Sequence, residues 1–283
     1  MTFGTVLRLG RVSNIPTVWT NALAGAVLAA GAEGPGLAVV IFAALSLTAF
    51  YEGGMWLNDA FDAEHDARVR ASRPIPQGEI GRATVFAGGA VLLALGIVLA
   101  LTLGPPAFGV SVALAFAVVL YDWLHKRTAL SPVIMGATRF LSYALAALAV
   151  GAFAGPALWG ALGLFAWIVG LTYAAKQEAY DRIGAAWPLA VLALPVLYAL
   201  WVGRSEPVAL GFALALAAVA AWALRRLFRR AKGDVPKAVV TMIAGICLYD
   251  AALVAAAGHT GLALLAGAGF LATLALQRVA SGT

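Results

Sequence analysis

The chain has 283 residues, of which 63% are hydrophobic and only 11% are charged, and its mean hydropathy is +0.92. Soluble domains are about half apolar and about one quarter charged, so this composition excludes a soluble protein and indicates an all-α, polytopic membrane bundle. The net charge of +6 favours contact with anionic lipid rather than with nucleic acid. A lone cysteine, Cys247, excludes an internal disulfide and a cysteine-rich metal site.

Ten apolar runs predict ten membrane helices, most of them near the ~20 residues that cross ~30 Å of hydrocarbon. The expected helices are residues 15–32, 37–57, 84–103, 107–124, 132–152, 157–176, 187–203, 207–224, 238–257 and 261–277. The joins are short, so consecutive helices are expected to pack as antiparallel neighbours. The alternative is nine spans, with one of the last four runs re-entrant. No soluble domain fits between the runs, so residues 1–283 are predicted to form a single membrane domain.

Basic residues mark one side of the membrane. With the first helix running outward, seventeen of the 19 lysines and arginines fall on the inner side. Only Arg204 lies outside, and Arg139 lies within a helix. Cytoplasmic segments carry such an excess of Lys and Arg, so the pattern predicts a multi-pass protein with both termini and the long loops in the cytoplasm.

The second predicted helix is followed by an N-D-x-x-D-x-x-x-D run. Asp59, Asp62 and Asp66 are spaced i, i+3, i+7 and so share one helical face, with the Asn58 amide beside them. Carboxylates are energetically costly to hold near lipid, so a cluster of them there indicates a functional site. Proteins hold Mg²⁺ through one or two carboxylates and substrate phosphate oxygens. We therefore expect a magnesium-bound diphosphate site at the membrane surface, and a solvated acidic helix end is the alternative.

Cationic side chains follow in the same predicted loop, residues 58–83, and in the next inner one. Guanidinium groups clamp phosphate oxygens in pairs, which makes Arg68 and Arg73 candidate diphosphate ligands. Lys126, in the segment that runs from Tyr121 to Arg127, is a third candidate. The alternatives are that the arginines only mark topology and that Lys126 extends towards lipid headgroups.

A second polar helix end is predicted between Tyr173 and Asp181. Tyr173, Gln177 and Asp181 recur every four residues and share a face, and Lys176 lies beside it. An acidic end that faces the first one would let metal ions bridge a diphosphate from both sides. A lone surface carboxylate at Asp181 is the alternative.

The spans themselves hold few polar groups. Arg139 and Tyr143 lie on one stripe of the fifth predicted helix, and Asp250 lies inside the ninth. Charges within a membrane are functional candidates, although Arg139 and Asp250 are equally expected to neutralise each other. Glu52, two turns before Asp59, is expected to extend the acidic wall or to orient an acceptor.

These motifs resemble those of the UbiA superfamily of intramembrane prenyltransferases, and the resemblance covers essentially the whole chain. Its first aspartate-rich motif is matched by Asn58, Asp59, Asp62 and Asp66, and its R-P-x-x-x-G signature by residues 73–78. Residues 121–127 resemble the Y-x-x-x-x-K-R element, and residues 173–181 resemble the second motif, Y-A-x-x-D-x-x-x-D. The chain departs from that second motif at Gln177, where the family pattern has its first aspartate.

The resemblance implies Mg²⁺-dependent transfer of an isoprenyl group from a prenyl diphosphate to a hydrophobic or amphiphilic acceptor. It also implies a ring of helices around a central cavity in a bacterial-type inner membrane. The implied metal ligands are Asp59, Asp62, Asp66 and Asp181. The implied catalytic residues are Asp59, Asp62, Asp181 and Lys176. The implied substrate contacts are Asn58, Arg68, Arg73, Lys126, Tyr121, Tyr143, Tyr173, Gln177 and Arg139.

Two other functions remain open at the level of sequence. Gln177 weakens metal binding, because an amide is a poorer Mg²⁺ ligand than a carboxylate, and so favours a non-catalytic protein that binds or transports prenyl lipids on the same fold. A CDP-alcohol phosphotransferase also combines many spans with metal-binding aspartates. Its D-G-x-x-A-R motif is absent from this sequence.

Overall fold

The computed structural model describes residues 2–177 and 185–278, and these residues form helices joined by short turns, with no strand among them. Eleven α-helices lie within the described ranges. They are α1 Phe3–Gly10, α2 Ile15–Ala30, α3 Leu37–Val69, α4 Arg82–Leu101, α5 Pro105–Leu124, α6 Ser131–Val150, α7 Gly155–Lys176, α8 Ala193–Gly203, α9 Pro207–Arg229, α10 Asp234–Ala256 and α11 Thr260–Leu276.

The predicted all-helical membrane bundle is confirmed. Eight helices of the described residues are long and apolar enough to cross a bilayer, so the chain is a multi-pass integral membrane protein. The apolar helices at Trp187–Gly203 and Thr260–Leu276 are shorter. The expected count of nine or ten spans is therefore not confirmed.

Helix α3 is longer than the sequence predicted. Its expected end was residue 57, with a loop over 58–83, but the helix continues to Val69 and only residues 70–81 connect it to α4. The apolar run ends where the helix leaves hydrocarbon, whereas alanine, glutamate and arginine keep a good helix propensity beyond that point. The acidic run is consequently helical, and its carboxylates are held on a rigid element.

Small residues fix the position of α3. A Cβ placed on Gly53 would come within 3.0 Å of the Gly89 carbonyl oxygen of α4, and a Cβ on Gly89 would come equally close to the Gly53 oxygen. The two helices therefore approach almost backbone to backbone. Small residues serve helix association inside a bilayer because no hydrophobic effect drives helices together there.

Helix α2 packs against five other helices, namely α3, α6, α7, α10 and α11. At its N-terminal end, Gln277 Nε2 donates to Asn14 Oδ1 at 3.1 Å. At its C-terminal end, His259 Nε2 lies 2.8 Å from the Gly31 carbonyl oxygen. The last helix therefore runs antiparallel to α2 and lies against it from end to end.

The N-terminal helix α1 was not predicted from the sequence. Thr5 Oγ1 and Arg8 each donate to the Glu79 carboxylate at 2.6 Å, which ties α1 to the loop between α3 and α4. Leu9 is fully buried in a small cluster beneath this contact, with Ala60, Ile80 and Val85. The helix ends at Gly10 and is followed by Arg11, whose left-handed backbone (φ 45°) costs a non-glycine residue about 1 kcal/mol or more.

Candidate functional site

The three aspartates of the acidic run share one face of α3 and are buried. Asp59, Asp62 and Asp66 retain 5%, 8% and 2% of their surface. Arg73, from the loop after α3, donates to Asp59 and lies 3.1 Å from Asp66 Oδ2. Arg11, at the end of α1, donates to the same Asp59 oxygen at 3.1 Å. Two arginines from separate segments therefore meet at Asp59.

The surroundings of Arg73 act on the pKa of its guanidinium in opposite directions. Burial lowers the pKa of its guanidinium, and the neighbouring charge of Arg11 acts in the same direction. Asp59 and Asp66 act against both and favour the charged form. Because arginine stays protonated in proteins, Arg73 provides a fixed positive charge beside the carboxylates.

Asp62 is paired with side chains from the end of α5 and the turn after it. Lys126 Nζ lies 2.8 Å from Asp62 Oδ2, and His125 Nε2 lies 3.2 Å from the same oxygen. One turn earlier on α3, Asn58 Nδ2 donates to Asp122 Oδ1 at 3.1 Å. The α5 segment therefore adds a histidine, a lysine and a fourth buried carboxylate to the acidic face.

A cleft of about 280 Å³ opens beside Asp62. Its walls include the predicted cations Arg68 and Lys126, and the remaining lining includes Phe61, His65, Asp122, Trp123, His125 and Arg127. Tyr121 stacks on His125 with the ring centroids 5.2 Å apart. That contact orients the histidine that meets Asp62.

The donor chemistry of this face suits a hard divalent cation. Its buried oxygens belong to carboxylates, which Mg²⁺ prefers, and to the Asn58 amide, which is a weaker ligand. Asp122 Oδ2 is shielded from solvent and has no hydrogen-bond partner among the described residues. Within those residues, no group of three His, Cys, Asp or Glu side chains converges closely enough to hold a metal, because the aspartates are turned to their cationic partners. The residue types fit Mg²⁺, with substrate oxygens needed to complete its coordination.

The second predicted motif is seen only up to its midpoint, since Asp181 lies outside the described residues. Lys176 Nζ donates to the carbonyl oxygens of His125 (3.3 Å) and Thr128 (2.9 Å) and to Ser131 Oγ (2.8 Å). It thereby joins the end of α7 to the turn that carries Lys126. The backbone N–H of Gln177 donates to the Ala174 carbonyl oxygen at the end of α7.

Tyr173 and Gln177 occupy the expected helix end. The Tyr173 hydroxyl donates to the Ala185 carbonyl oxygen at 2.7 Å, so the tyrosine spans from α7 to the segment that precedes α8. The lysine and tyrosine of this motif are thus engaged with protein groups at the same end of the bundle as the acidic face.

A polar network lies deeper, inside the spans. Arg139 donates to Asn21 Oδ1 at 2.7 Å, and Asn21 Nδ2 donates to Asp250 Oδ2 at 2.7 Å. The Tyr143 hydroxyl donates to the other oxygen of Asp250. The expected mutual neutralisation of Arg139 and Asp250 is therefore indirect, with the Asn21 amide between them.

Sequence reasoning missed three members of the site, namely Arg11, Asp122 and His125. Asp122 carried a usable signal, since it is a carboxylate at the end of an apolar run. No role in the site was expected for His125 or for Arg11. Neither residue type reveals by itself which distant helix it will contact.

Comparison with known proteins gives concordant matches. A sequence model of the UbiA prenyltransferase family matches residues 18–245. Digeranylgeranylglyceryl phosphate synthase from Methanopyrus kandleri is 34% identical over 198 residues, which cover 69% of this chain and 67% of that protein.

Two solved structures share the helical fold. The apo structure of a UbiA homolog from Aeropyrum pernix K1 has a TM-score of 0.70 at 18% identity and covers 87% of this chain and 97% of that one. A UbiA homolog from Archaeoglobus fulgidus, bound to DMAPP and Mg²⁺, has a TM-score of 0.56 at 14% identity and covers 96% of this chain and 99% of that one.

Proposed function

The chain belongs to the UbiA prenyltransferase family, and we propose that it transfers an isoprenyl group from a prenyl diphosphate to an acceptor in or at the membrane, with Mg²⁺ as cofactor. The observation that carries this proposal is the buried carboxylate face of α3, which is ringed by cations and opens to a cleft. A family relative bound to DMAPP and Mg²⁺ supports the same substrate class.

The carboxylates are assigned to the metal. Asp59, Asp62 and Asp66 would hold Mg²⁺ together with Asp181, and Asn58 would be a weaker ligand. The bound metal would offset the negative charge that develops on the departing diphosphate. The helical spacing of the three aspartates keeps their oxygens on one side of α3, so no rearrangement of the backbone is needed to present them.

The cations are assigned to the diphosphate. Arg73 and Lys126 already lie against the carboxylates, and Arg68 lines the cleft. Lys176 donates to the backbone oxygen of His125, which is a residue of the cleft wall. Preorganised positive charge of this kind stabilises an oxyanion leaving group without reorganisation during the reaction. Gln177 completes the polar end of α7 beside Lys176.

The apolar part of the substrate is assigned to the bundle interior. During transfer, the bond between prenyl C1 and the diphosphate oxygen breaks, and its electron pair leaves with the diphosphate. The acceptor supplies the electron pair of the new bond and gives up a proton. Aromatic walls from Tyr121, Tyr143 and Tyr173 would shield a cationic prenyl carbon from water and stabilise its charge. Arg139 is the remaining substrate contact.

The charge asymmetry of the sequence supports an orientation for the site. We propose that the acidic face, both termini and the basic turns face the cytoplasm and that the membrane is a bacterial-type inner membrane. A prenyl diphosphate has a water-soluble diphosphate head and an apolar prenyl tail. A cleft at the inner membrane surface would therefore accept the head from water while the tail enters the bundle. The acceptor would enter the same bundle from the bilayer.

The test is diphosphate release from geranyl, farnesyl and geranylgeranyl diphosphates by purified protein, with Mg²⁺ or with EDTA, and with a membrane extract as acceptor source. We expect metal-dependent release and a prenylated product in mass spectra. Asp62→Asn should lower the rate at least about 100-fold. Glu33→Gln, an exposed carboxylate at the outer end, is the control and should leave it unchanged. Wild-type activity in Asp62→Asn would overturn the metal assignment.

A non-catalytic prenyl-lipid carrier is the second candidate. The feature that favours it is the substitution at Gln177, with Lys176 engaged by backbone oxygens of the neighbouring turn. A carrier would bind a prenyl diphosphate tightly and release no diphosphate with any acceptor. The same assay therefore separates the two functions.

A further inference from the structure

A groove of about 620 Å³ lies on the surface of the bundle between α9 and α11. Its lining reaches Leu248 of α10, which is buried. Each of the lining residues is apolar or a glycine, and none of them is shared with the cleft beside Asp62. The groove is therefore a separate feature, and its chemistry suits a hydrocarbon chain.

Small residues keep the groove open. A Cβ added to Gly211 would meet no heavy atom within 4 Å, and Ala218, two turns further along α9, is exposed. A Cβ added to Gly267 of α11 would lie 2.4 Å from the Phe212 ring, so this glycine lets the ring lie against α11. Small residues in a bilayer usually let another helix approach, but no helix of the described residues covers the groove.

A basic patch lies at the turn between α9 and α10. It consists of Arg225, Arg226, Arg229, Arg230, Lys232 and Lys237. The only acid in residues 225–237 is Asp234, which accepts from Arg226 at 3.2 Å and from Arg229 at 2.6 and 2.9 Å. The other four basic side chains are exposed and form no ion pair within the described part of the chain. The patch therefore keeps a large excess of positive charge.

One face of α9 connects the groove to the basic patch. The α9 residues that line the groove recur every three or four positions up to Val219. Trp222 and Arg226 continue this row, and the Arg226 guanidinium carbon lies 4.2 Å from the Trp222 ring centroid. Tryptophan is enriched at the level of the lipid headgroups. Half of a bilayer ~40–45 Å thick corresponds to about 14 residues of helix, the separation of Arg226 from Phe212. One leaflet therefore spans the patch and much of the groove.

We propose that the chain binds one anionic phospholipid at this place, with the phosphate against the basic patch and an acyl chain in the groove. The site is independent of the proposed function. Guanidinium groups bind phosphate oxygens in pairs, and basic clusters beside a membrane span attract anionic lipids. A zwitterionic lipid carries a cation next to its phosphate and would be held less tightly. A second copy of the chain is disfavoured as the occupant, because a two-fold axis along the membrane normal would bring two basic patches together.

The first test is the lipid that the purified protein retains. The protein is placed in nanodiscs that contain equal amounts of phosphatidylglycerol and phosphatidylcholine with the same acyl chains, and native mass spectrometry identifies the lipids that remain bound. One phosphatidylglycerol per chain is expected, in clear preference to phosphatidylcholine. Equal retention of the two lipids would mean that bulk lipid fills the groove and would overturn the proposal. A dimer that retains no lipid would overturn it in favour of a second copy.

The second test removes charge from the patch. Arg225→Gln combined with Arg230→Gln should weaken phosphatidylglycerol binding about 10- to 30-fold, because each basic residue near the surface adds to the attraction of an anionic lipid. Neither residue contacts Asp234, so the turn keeps its ion pairs. Arg204→Gln, which changes an exposed arginine at the opposite end of α9, is the control and should bind as the wild type does. An unchanged preference in the double variant would contradict the proposal.

The third test fills the groove. Ala218→Phe places a ring in it about 12 Å along α9 from Arg226 and should abolish the retained phosphatidylglycerol. Ala113→Phe changes an equally exposed alanine on α5 and should leave retention unchanged. Ala218→Leu adds less volume and replaces Ala218→Phe if that variant does not fold. Retention at the wild-type level in the groove variant would show that no acyl chain lies there.

Discussion

Replacement of the bridging amide by an apolar isostere, Asn21→Leu, should destabilise the bundle by about 3 kcal/mol. The side chain is fully buried and makes one hydrogen bond to Arg139 and one to Asp250, each 2.7 Å long. Interhelical hydrogen bonds between neutral groups in membranes are worth about 0.6 kcal/mol and at most about 1.7 kcal/mol. Both partners of Asn21 are charged, which places each bond at the upper end of that range.

Reversible unfolding in mixed detergent micelles, followed by circular dichroism, measures this loss. Ser142→Ala is the matched control, because Ser142 is also buried within α6 and only donates to the Thr138 oxygen of its own helix at 2.9 Å. The control should cost less than about 1 kcal/mol. If Asn21→Leu costs no more than the control, the amide does not link the two charges, and the reasoning is refuted. Addition of Arg139→Gln and Asp250→Asn to Asn21→Leu should recover most of the loss.

Two further predictions concern the N-terminal helix. The Thr5 hydroxyl and then Arg8 hold the pKa of Glu79 below its usual range. A lowered folded pKa stabilises the contact above the unfolded pKa, so docking of α1 should persist at neutral pH and be lost as the pH falls through the lowered pKa. Hydrogen exchange of residues 2–10 measures this, and Glu79→Gln should abolish the dependence. Gly10→Val should push the Glu52 carboxylate aside and so loosen the packing of α1 on α3, because a Cβ there would lie 1.8 Å from Glu52 Oε2; unchanged protease resistance of the N-terminus would contradict this.

The membrane bundle could be predicted from the sequence because hydropathy reports directly which segments avoid water. The expected spans agree with the helices to within a few residues at most positions, as at 261–277 against Thr260–Leu276. The end of α3 was wrong for a physical reason. Hydropathy marks where hydrocarbon contact stops, and a helix that is stabilised by contacts with loops and other helices continues past that point.

The site could be predicted from the sequence only in part. Helical periodicity placed Asp59, Asp62 and Asp66 on one face, since that relation is local along the chain. The partners of these carboxylates could not be predicted, because Arg11 lies 48 residues from Asp59 and His125 lies 63 residues from Asp62 along the chain. The indirect pairing of Arg139 with Asp250 depends on a third side chain from α2, which no spacing rule reveals.

The antiparallel contact between α2 and α11 has a consequence for biogenesis. Asn14 and Gln277 are 263 residues apart, and Gly31 and His259 are 228 residues apart. Helix α2 is therefore synthesised more than 200 residues before its partner α11 leaves the ribosome. Until then, the face of α2 that will meet the last helix is open to lipid or to an insertion chaperone. The contact between α2 and α11 can form only once α11 has been made, so a chain that stops before α11 leaves that face of α2 uncovered.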